Sequence, residues 1–298
     1  MKANLSVFPI APSSPFDLNK ASRGVALLRA RGMKVLHDPQ RRELSPDYLN
    51  GSDELRLTEL HEAMRSTSAD LMWMARGGYG LSRILPSIEL PSGPTPVLVG
   101  FSDTTALHCH LWRHKKQKGI HAPNLTGIGE EASDSLEFLW AILEGRVQRV
   151  EWPKLLKAWW PNNELVKGPL IVANLCVLTH LIGTTSMPCL DGCILVIEEV
   201  AERPYRIDRM LTQLWNSGSL NGVRAIVLGL FVGCEEKDEH AATAQSVVME
   251  RCKHFGIPLC QGLSVGHETP NWALPFGALA SLMPSSEHVE LRILEELF

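Results

Sequence analysis

The chain reads as an α/β protein: a parallel sheet covered by helices, followed by a second, smaller α/β unit. Three observations predict this. Short apolar runs alternate with amphipathic stretches through the first half, the pattern of strands joined by crossover helices. The pattern changes after Gly168, where a helix leads into a strongly apolar strand ending on Glu198 and Glu199. The length of 298 residues, 45% apolar and 21% charged, suits one large core or two smaller ones.

In chain order, residues 5–9 read as a strand, 17–31 as a helix and 33–36 as a strand. Residues 53–64 form a second helix, opened by a cap at Ser52 or Asp53. The run 71–75 is a buried strand leading into a glycine-rich turn; 96–100 is another, meeting Ser102 and a helix through His114. An acidic helix over 130–143 enters a polar stretch bearing Pro153, Trp159, Trp160 and Pro161. Residues 141–167 are expected to link an amino-terminal domain (1–140) to a carboxy-terminal one (168–298), with a lid or dimer contact as other readings. Beyond Gly168 come a helix over 174–182, a strand over 193–197 and a helix over 206–215. A strand over 225–231, a helix over 243–255 and closing strands over 275–282 and 289–293 complete the chain, with no internal repeat.

The formal charge of −4, with acids and bases well mixed, offers no basic stripe for nucleic acid and no polybasic membrane anchor. Small neutral or zwitterionic partners fit better. Seven cysteines, odd in number and scattered, point to a reducing compartment. Pro9 and Pro12 break the first apolar stretch, and no segment approaches the roughly 20 apolar residues of a membrane helix. The expected location is the cytoplasm.

The most informative local feature is a hydrophobic strand running into Gly100-Phe101-Ser102-Asp103-Thr104-Thr105-Ala106. A tight turn there lifts the Ser102 hydroxyl out of the sheet, beside free N–H groups at the helix start. The full G-x-S-x-G fingerprint is not met, because Thr104 occupies its last glycine, and a plain helix N-cap serine is the other reading. Upstream, Arg76-Gly77-Gly78-Tyr79-Gly80 follows the strand 71–75, so both turns lie where ligands gather in open α/β sheets. It matches neither phosphate-loop pattern, and a simple tight turn also accounts for it.

A serine nucleophile needs a base. His108, His110 and His114 follow Ser102 on its helix, without a carboxylate to complete a metal site, and read as packing or surface residues. His267 sits in a loop between a strand-like run and Pro270. Of Glu198 and Glu199, adjacent at a strand end, one must point inward and needs a partner, either an imidazole or one of Arg203, Arg206 and Arg209.

Taken together, these segments resemble the LD-carboxypeptidase family, which also contains the microcin-immunity peptidases. The resemblance rests on Ile10-Ala11-Pro12-Ser13, the Arg76 turn, the Ser102 segment, Glu198-Glu199, Pro204-Tyr205-Arg206-Ile207-Asp208-Arg209, Gly266-His267 and Leu274-Pro275-Phe276-Gly277, in order along nearly the whole chain. It implies an amino-terminal Rossmann-like domain carrying the nucleophile and a smaller, swivelling-type α/β domain carrying the acid and base. By motif, Ser102 is the implied nucleophile, His267 the base and Glu198 the acid, with backbone N–H groups of Gly78 and Asp103 as the oxyanion hole. The implied reaction needs no metal or cofactor: hydrolysis of the amide between an L-centre and a terminal D-residue of a small murein peptide, by a homodimer. An exopeptidase also reads a free carboxylate, for which Arg76 and Arg206 are candidates, with Tyr79 and Asn174 as further substrate contacts.

One departure is expected to matter. Where the family has two glycines before an asparagine, this chain has Val172-Ala173-Asn174, and a branched residue that cannot take φ > 0 would alter a substrate wall. Two further readings therefore stand: an immunity-type peptidase acting on an aminoacyl-nucleotide amide, with Trp159, Trp160 or Trp272 stacking on the base, and a silent peptide-binding protein.

Overall fold

Strands covered on both faces must be apolar at successive positions, and Leu71–Met74 is buried at every residue. The computed structural model describes residues 5–42, 48–149, 154–236 and 242–297. The first half contains β1 (Ser6–Ile10), α1 (Leu18–Ala30), β2 (Lys34–Val35), α2 (Asp53–Arg65), β3 (Leu71–Met74), α3 (Leu81–Ile84), β4 (Val97–Val99), α4 (Thr104–Lys115), β5 (Gly119–His121), α5 (Leu125–Ile128) and α6 (Ser133–Leu143). The second contains β6 (Lys154–Trp159), β7 (Val166–Asn174), α7 (Leu175–His180), β8 (Ile194–Val200), α8 (Pro204–Asn216), β9 (Ala225–Val232), α9 (Ala244–Phe255), β10 (Leu259–Gln261), β11 (Leu274–Phe276), β12 (Leu279–Pro284) and β13 (His288–Ile293).

The α/β class read from the sequence is the class observed. One sheet has the order β2-β1-β3-β4-β5-β11, parallel except for β11. Its order reverses between β1 and β3, which places a crevice at the strands' carboxyl ends. The other sheet closes into a barrel, β10-β6-β13-β12-β7-β8-β9, whose β7, β8, β9 and β10 run parallel. One continuous hydrophobic cluster spans both, from Val7 and Trp73 to Leu195 and Leu291.

The helices begin where local chemistry satisfies their free amides. The Asp17 carboxylate accepts from Lys20 N at 3.0 Å, and Ser52 rather than Asp53 caps α2. Pro204 opens α8, and Thr243 with Ser246 forms a reciprocal cap on α9.

Two sequence expectations change. Part of the stretch 141–167, expected as a connection, is strand β6, which pairs with β10 and β13 inside the barrel; Pro153 lies outside the described residues. The single strand expected over 275–282 is two strands in different sheets. Gly277, at φ 79°, turns the chain between them, and β11 joins β5 while β12 joins β7 and β13. Among the described residues no helix is long and apolar enough to cross a membrane.

Candidate active site

The site is assembled from strand ends of both sheets. Beyond β4, Gly100 N donates to Ile120 O at 3.0 Å and Phe101 N to the Asn124 side chain at 3.3 Å. These bonds, with Thr105 N on Ser102 O at 2.9 Å, hold Ser102 at φ 67°. A non-glycine residue there costs about 1–3 kcal/mol and persists only where its surroundings impose it. The result is a serine hydroxyl standing clear of the sheet, at the opening of α4.

The glycine turn after β3 lies against this serine. A Cβ on Gly77 would come within 2.8 Å of the Ser102 Cβ, so only glycine lets the two turns touch. At Gly78 the φ of 98° and a would-be Cβ 2.3 Å from Ser14 Oγ have the same effect on the neighbouring wall.

On the barrel side, Glu198 and Glu199 close β8. The pairing with β9 shifts register between Ile197 and Glu199, a bulge beside the site. The two carboxylates take opposite faces. Glu199 is buried among donors: Asn174 Nδ2 at 3.1 Å, Cys176 N at 2.7 Å and Val200 N at 2.8 Å. Burial raises its pKa against those hydrogen bonds, and the neighbouring Glu198 charge raises it further. Glu198, fully buried, faces His267 instead of any arginine.

His267 stands in a loop tied to that bulge by Leu230 N on Val265 O at 2.8 Å, and braced by Gly266 N on Asn271 Oδ1 at 3.1 Å. Its Nδ1 lies 2.7 Å from Glu198 Oε2 and its Nε2 lies 2.9 Å from Ser102 Oγ. An ionised carboxylate only accepts, so Nδ1 carries the proton and the Nε2 lone pair meets the serine hydroxyl. Burial lowers the basicity of this imidazole. The hydrogen bond to Glu198, with the charges of Glu198 and Glu199, outweighs that loss and leaves the pKa above its ordinary value. Phe101 packs on the same ring, centroids 4.9 Å apart.

Neither the Gly78 nor the Asp103 amide is engaged in a hydrogen bond among the described residues. Asp103 follows Ser102 in the chain and Gly78 follows Gly77, whose would-be Cβ meets Ser102, so both amides belong to the two turns that meet at the serine. An open cleft of about 660 Å³ lies in front, lined by Asp17, Lys20, Arg76, Glu130 and His267 among others.

The remaining sequence candidates separate. Arg76 lines the cleft and donates to Pro15 O at 2.6 Å. Tyr79 is 45% exposed beside Tyr48, outside the cleft lining. Arg206 is an exposed partner of Glu202 at 2.8 Å. Asn174 is buried; it caps α7 through Val177 N and donates to Glu199. Val172 and Ala173, in β7, are fully buried and neither has positive φ, so they pack the barrel and leave the cleft wall untouched. His108 turns inward and stacks on Phe276, and His110 meets Ser186 Oγ at 2.9 Å.

Asp17, Lys20 and Glu130 are cleft residues that the sequence reading passed over. Their signal was positional: Asp17 opens the helix that follows the first strand, at the carboxyl edge where ligands collect.

A strained serine, an imidazole within hydrogen-bond reach of it and a buried carboxylate behind the ring meet at the crevice of an α/β sheet, an arrangement suited to hydrolase chemistry, and the family comparisons place the chain among the peptidases. The chain belongs to the LD-carboxypeptidase family: the LD-carboxypeptidase N-terminal domain matches residues 7–122 and the C-terminal domain residues 167–282. It is 31% identical over 288 residues to the murein tetrapeptide carboxypeptidase of Pseudomonas aeruginosa, covering 92% of this chain and 91% of that one. The crystal structure of muramoyltetrapeptide carboxypeptidase from Oxalobacter formigenes superposes with TM-score 0.83 at 25% identity, covering 98% and 100% of the two chains. MccF, solved with glutamyl sulfamoyl guanosine, shares the fold at TM-score 0.81 and 19% identity, covering 100% and 98%.

Proposed function

We propose that the protein is a serine carboxypeptidase that releases the terminal D-alanine of a murein tetrapeptide by hydrolysing an L,D amide bond. The observation that carries this reading is the continuous row from Ser102 Oγ through His267 to Glu198, with contacts of 2.9 and 2.7 Å. His267 Nε2 takes the Ser102 proton as Oγ attacks the scissile carbonyl carbon, and Glu198 stabilises the imidazolium that forms. The carbonyl oxygen becomes an oxyanion held by the Gly78 and Asp103 amides. His267 then protonates the departing amine, leaving an acyl ester on Ser102, and water repeats the sequence to free the acid.

Arg76 is the cleft's candidate for the terminal carboxylate, since it lines the cleft and Arg206 does not. Lys20 and Glu130, paired at 3.1 Å on the same rim, suit a peptide carrying both charges. Cytoplasmic recycling by a homodimer belongs to the same proposal, and the solution mass tests the assembly. For the nucleotide-directed alternative, a base would need a stacking ring; Trp159, Trp160 and Trp272 are absent from the lining, and Phe101 is packed against His121 and His267.

Incubation with L-Ala-γ-D-Glu-meso-diaminopimelate-D-Ala tests the reading. D-Alanine release that is abolished in Ser102→Ala and unaffected by a chelator is expected. Equal release by Ser102→Ala would refute it, and turnover of an acyl-sulfamoyl adenylate without tetrapeptide cleavage would select the immunity-type activity.

A further inference from the structure

Asp103 opens α4, yet its carboxylate does not cap that helix. An aspartate in this place ordinarily accepts from the amide of the second or third helical residue. Here no side-chain cap is made. The Thr104, Thr105 and Ala106 amides bond instead to the backbone carbonyls of Phe101, Ser102 and Asp103, at 3.3, 2.9 and 3.0 Å. The carboxylate, on a residue 1% exposed, points the other way, and its Oδ2 accepts from Ser13 Oγ at 2.6 Å and from Leu81 N at 3.0 Å.

Those two donors belong to different loops. Ser13 lies on the segment after β1, and Leu81 ends the glycine turn after β3. The same loops are joined on either side of Gly78: Ser14 N donates to Gly77 O at 3.3 Å, and Tyr79 N donates to Ser14 Oγ at 3.0 Å. Arg56, fully buried, completes the brace from behind, with Nη1 donating to Pro12 O and to Gly80 O. Burial of a carboxylate is costly, and burial raises the Asp103 pKa against the hydrogen bonds of Ser13 and Leu81 and the charge of Arg56. A group held so expensively in place of an ordinary cap has a use outside its own helix.

We propose that the Asp103 side chain is the positioning residue of the oxyanion hole. It fixes the separation of the two amides, its own and that of Gly78, by tying the start of α4 to the loops that carry Ser13 and Leu81. The inference rests on the reading of Ser102 as nucleophile with those amides as donors. Acting through other groups, the carboxylate stabilises charge only as the tetrahedral species forms, so its removal lowers kcat and leaves KM nearly constant.

The test is steady-state cleavage of the tetrapeptide by wild type, Asp103→Ala, Asp103→Asn, Ser13→Ala and Ser102→Ala, each normalised to the folded fraction from a melting curve. Asp103→Ala is expected to lose about 10²-fold in kcat with KM within about threefold. Asp103→Asn keeps a carbonyl oxygen that accepts both donors, and is expected to recover kcat to within about tenfold of wild type. Ser13→Ala removes one tie and is expected to lose about tenfold in kcat, which keeps the test open if the alanine variant at 103 does not fold. Unchanged kcat in a folded Asp103→Ala, unchanged kcat in Ser13→Ala, or a loss confined to KM would overturn the inference. Activity surviving in Ser102→Ala would instead remove the nucleophile reading beneath it.

Discussion

Replacing Glu198 by Gln separates charge from shape at the buried end of the row. Glu198 is fully buried; Oε2 accepts from His267, and Oε1 has no hydrogen-bond partner among the described residues. The glutamine amide therefore has two orientations. With its carbonyl oxygen toward Nδ1, the tautomer survives and only the charge-assisted part of the bond is lost. That part is about 2–3 kcal/mol, or roughly 30- to 160-fold in rate. With its NH2 toward Nδ1, the ring proton moves to Nε2, where it cannot accept from Ser102, and the loss approaches about 10⁴-fold. A fall of about 10²–10⁴ in kcat/KM at pH 8 is expected. The pH profile carries a second, independent sign. The imidazole works only when neutral, and in wild type its pKa stands above the ordinary histidine value, so the acid limb lies above about 6.5. In the variant the Glu198 charge and the charge-assisted part of its bond are gone, burial still lowers the pKa against the more distant Glu199 charge, and the acid limb moves down. The penalty is therefore smaller at pH 5.5 than at pH 8. D-Alanine release measured between pH 5 and 9 reads both effects. An unshifted acid limb with kcat/KM within about threefold of wild type would refute the role of Glu198.

Gly77→Ala places a methyl 2.8 Å from the Ser102 Cβ, 3.0 Å from its Oγ and 3.3 Å from Phe101 O, at a residue without positive φ, so crowding of the serine turn is the main perturbation. A loss of about 10²-fold in kcat is expected, read in the same assay. Val172→Gly empties a fully buried strand position and should destabilise the barrel by about 2–4 kcal/mol in urea titrations while kcat/KM stays within about threefold; a changed substrate preference would contradict its assignment to packing. Lys20→Ala breaks a half-exposed pair with Glu130, so the melting temperature should hold while KM rises about threefold to tenfold.

Much of the site was legible because each part is local. A strand running into a serine at a helix start, a turn of glycines after a strand, and two carboxylates at a strand end all announce themselves within a few residues. The meeting of Glu198 with His267 was not local. The residues alone leave an arginine and an imidazole both open for the glutamate, only the family resemblance pairs it with His267, and the bulge in β9 beside it depends on pairing across the sheet. The same holds for β7: residues 166–174 are a strand because β8 and β12 lie on either side, whereas the sequence reading began a helix at 174 and left the strand unrecognised. Asn174 is instructive, since one residue both ends that strand and caps α7. Its type suited a substrate contact equally well, and only its burial decides between them.

The crossing at Gly277 has a practical consequence for recombining family members. A chimera joined near residue 167 would carry one parent's five parallel strands and the other parent's β11, because that strand is encoded downstream yet completes the upstream sheet. Its Leu274, Pro275 and Phe276 would have to mate with a foreign β5, and a mismatch there would leave an open edge ready to recruit other chains. Exchanging 274–276 together with the first half keeps each sheet within a single lineage.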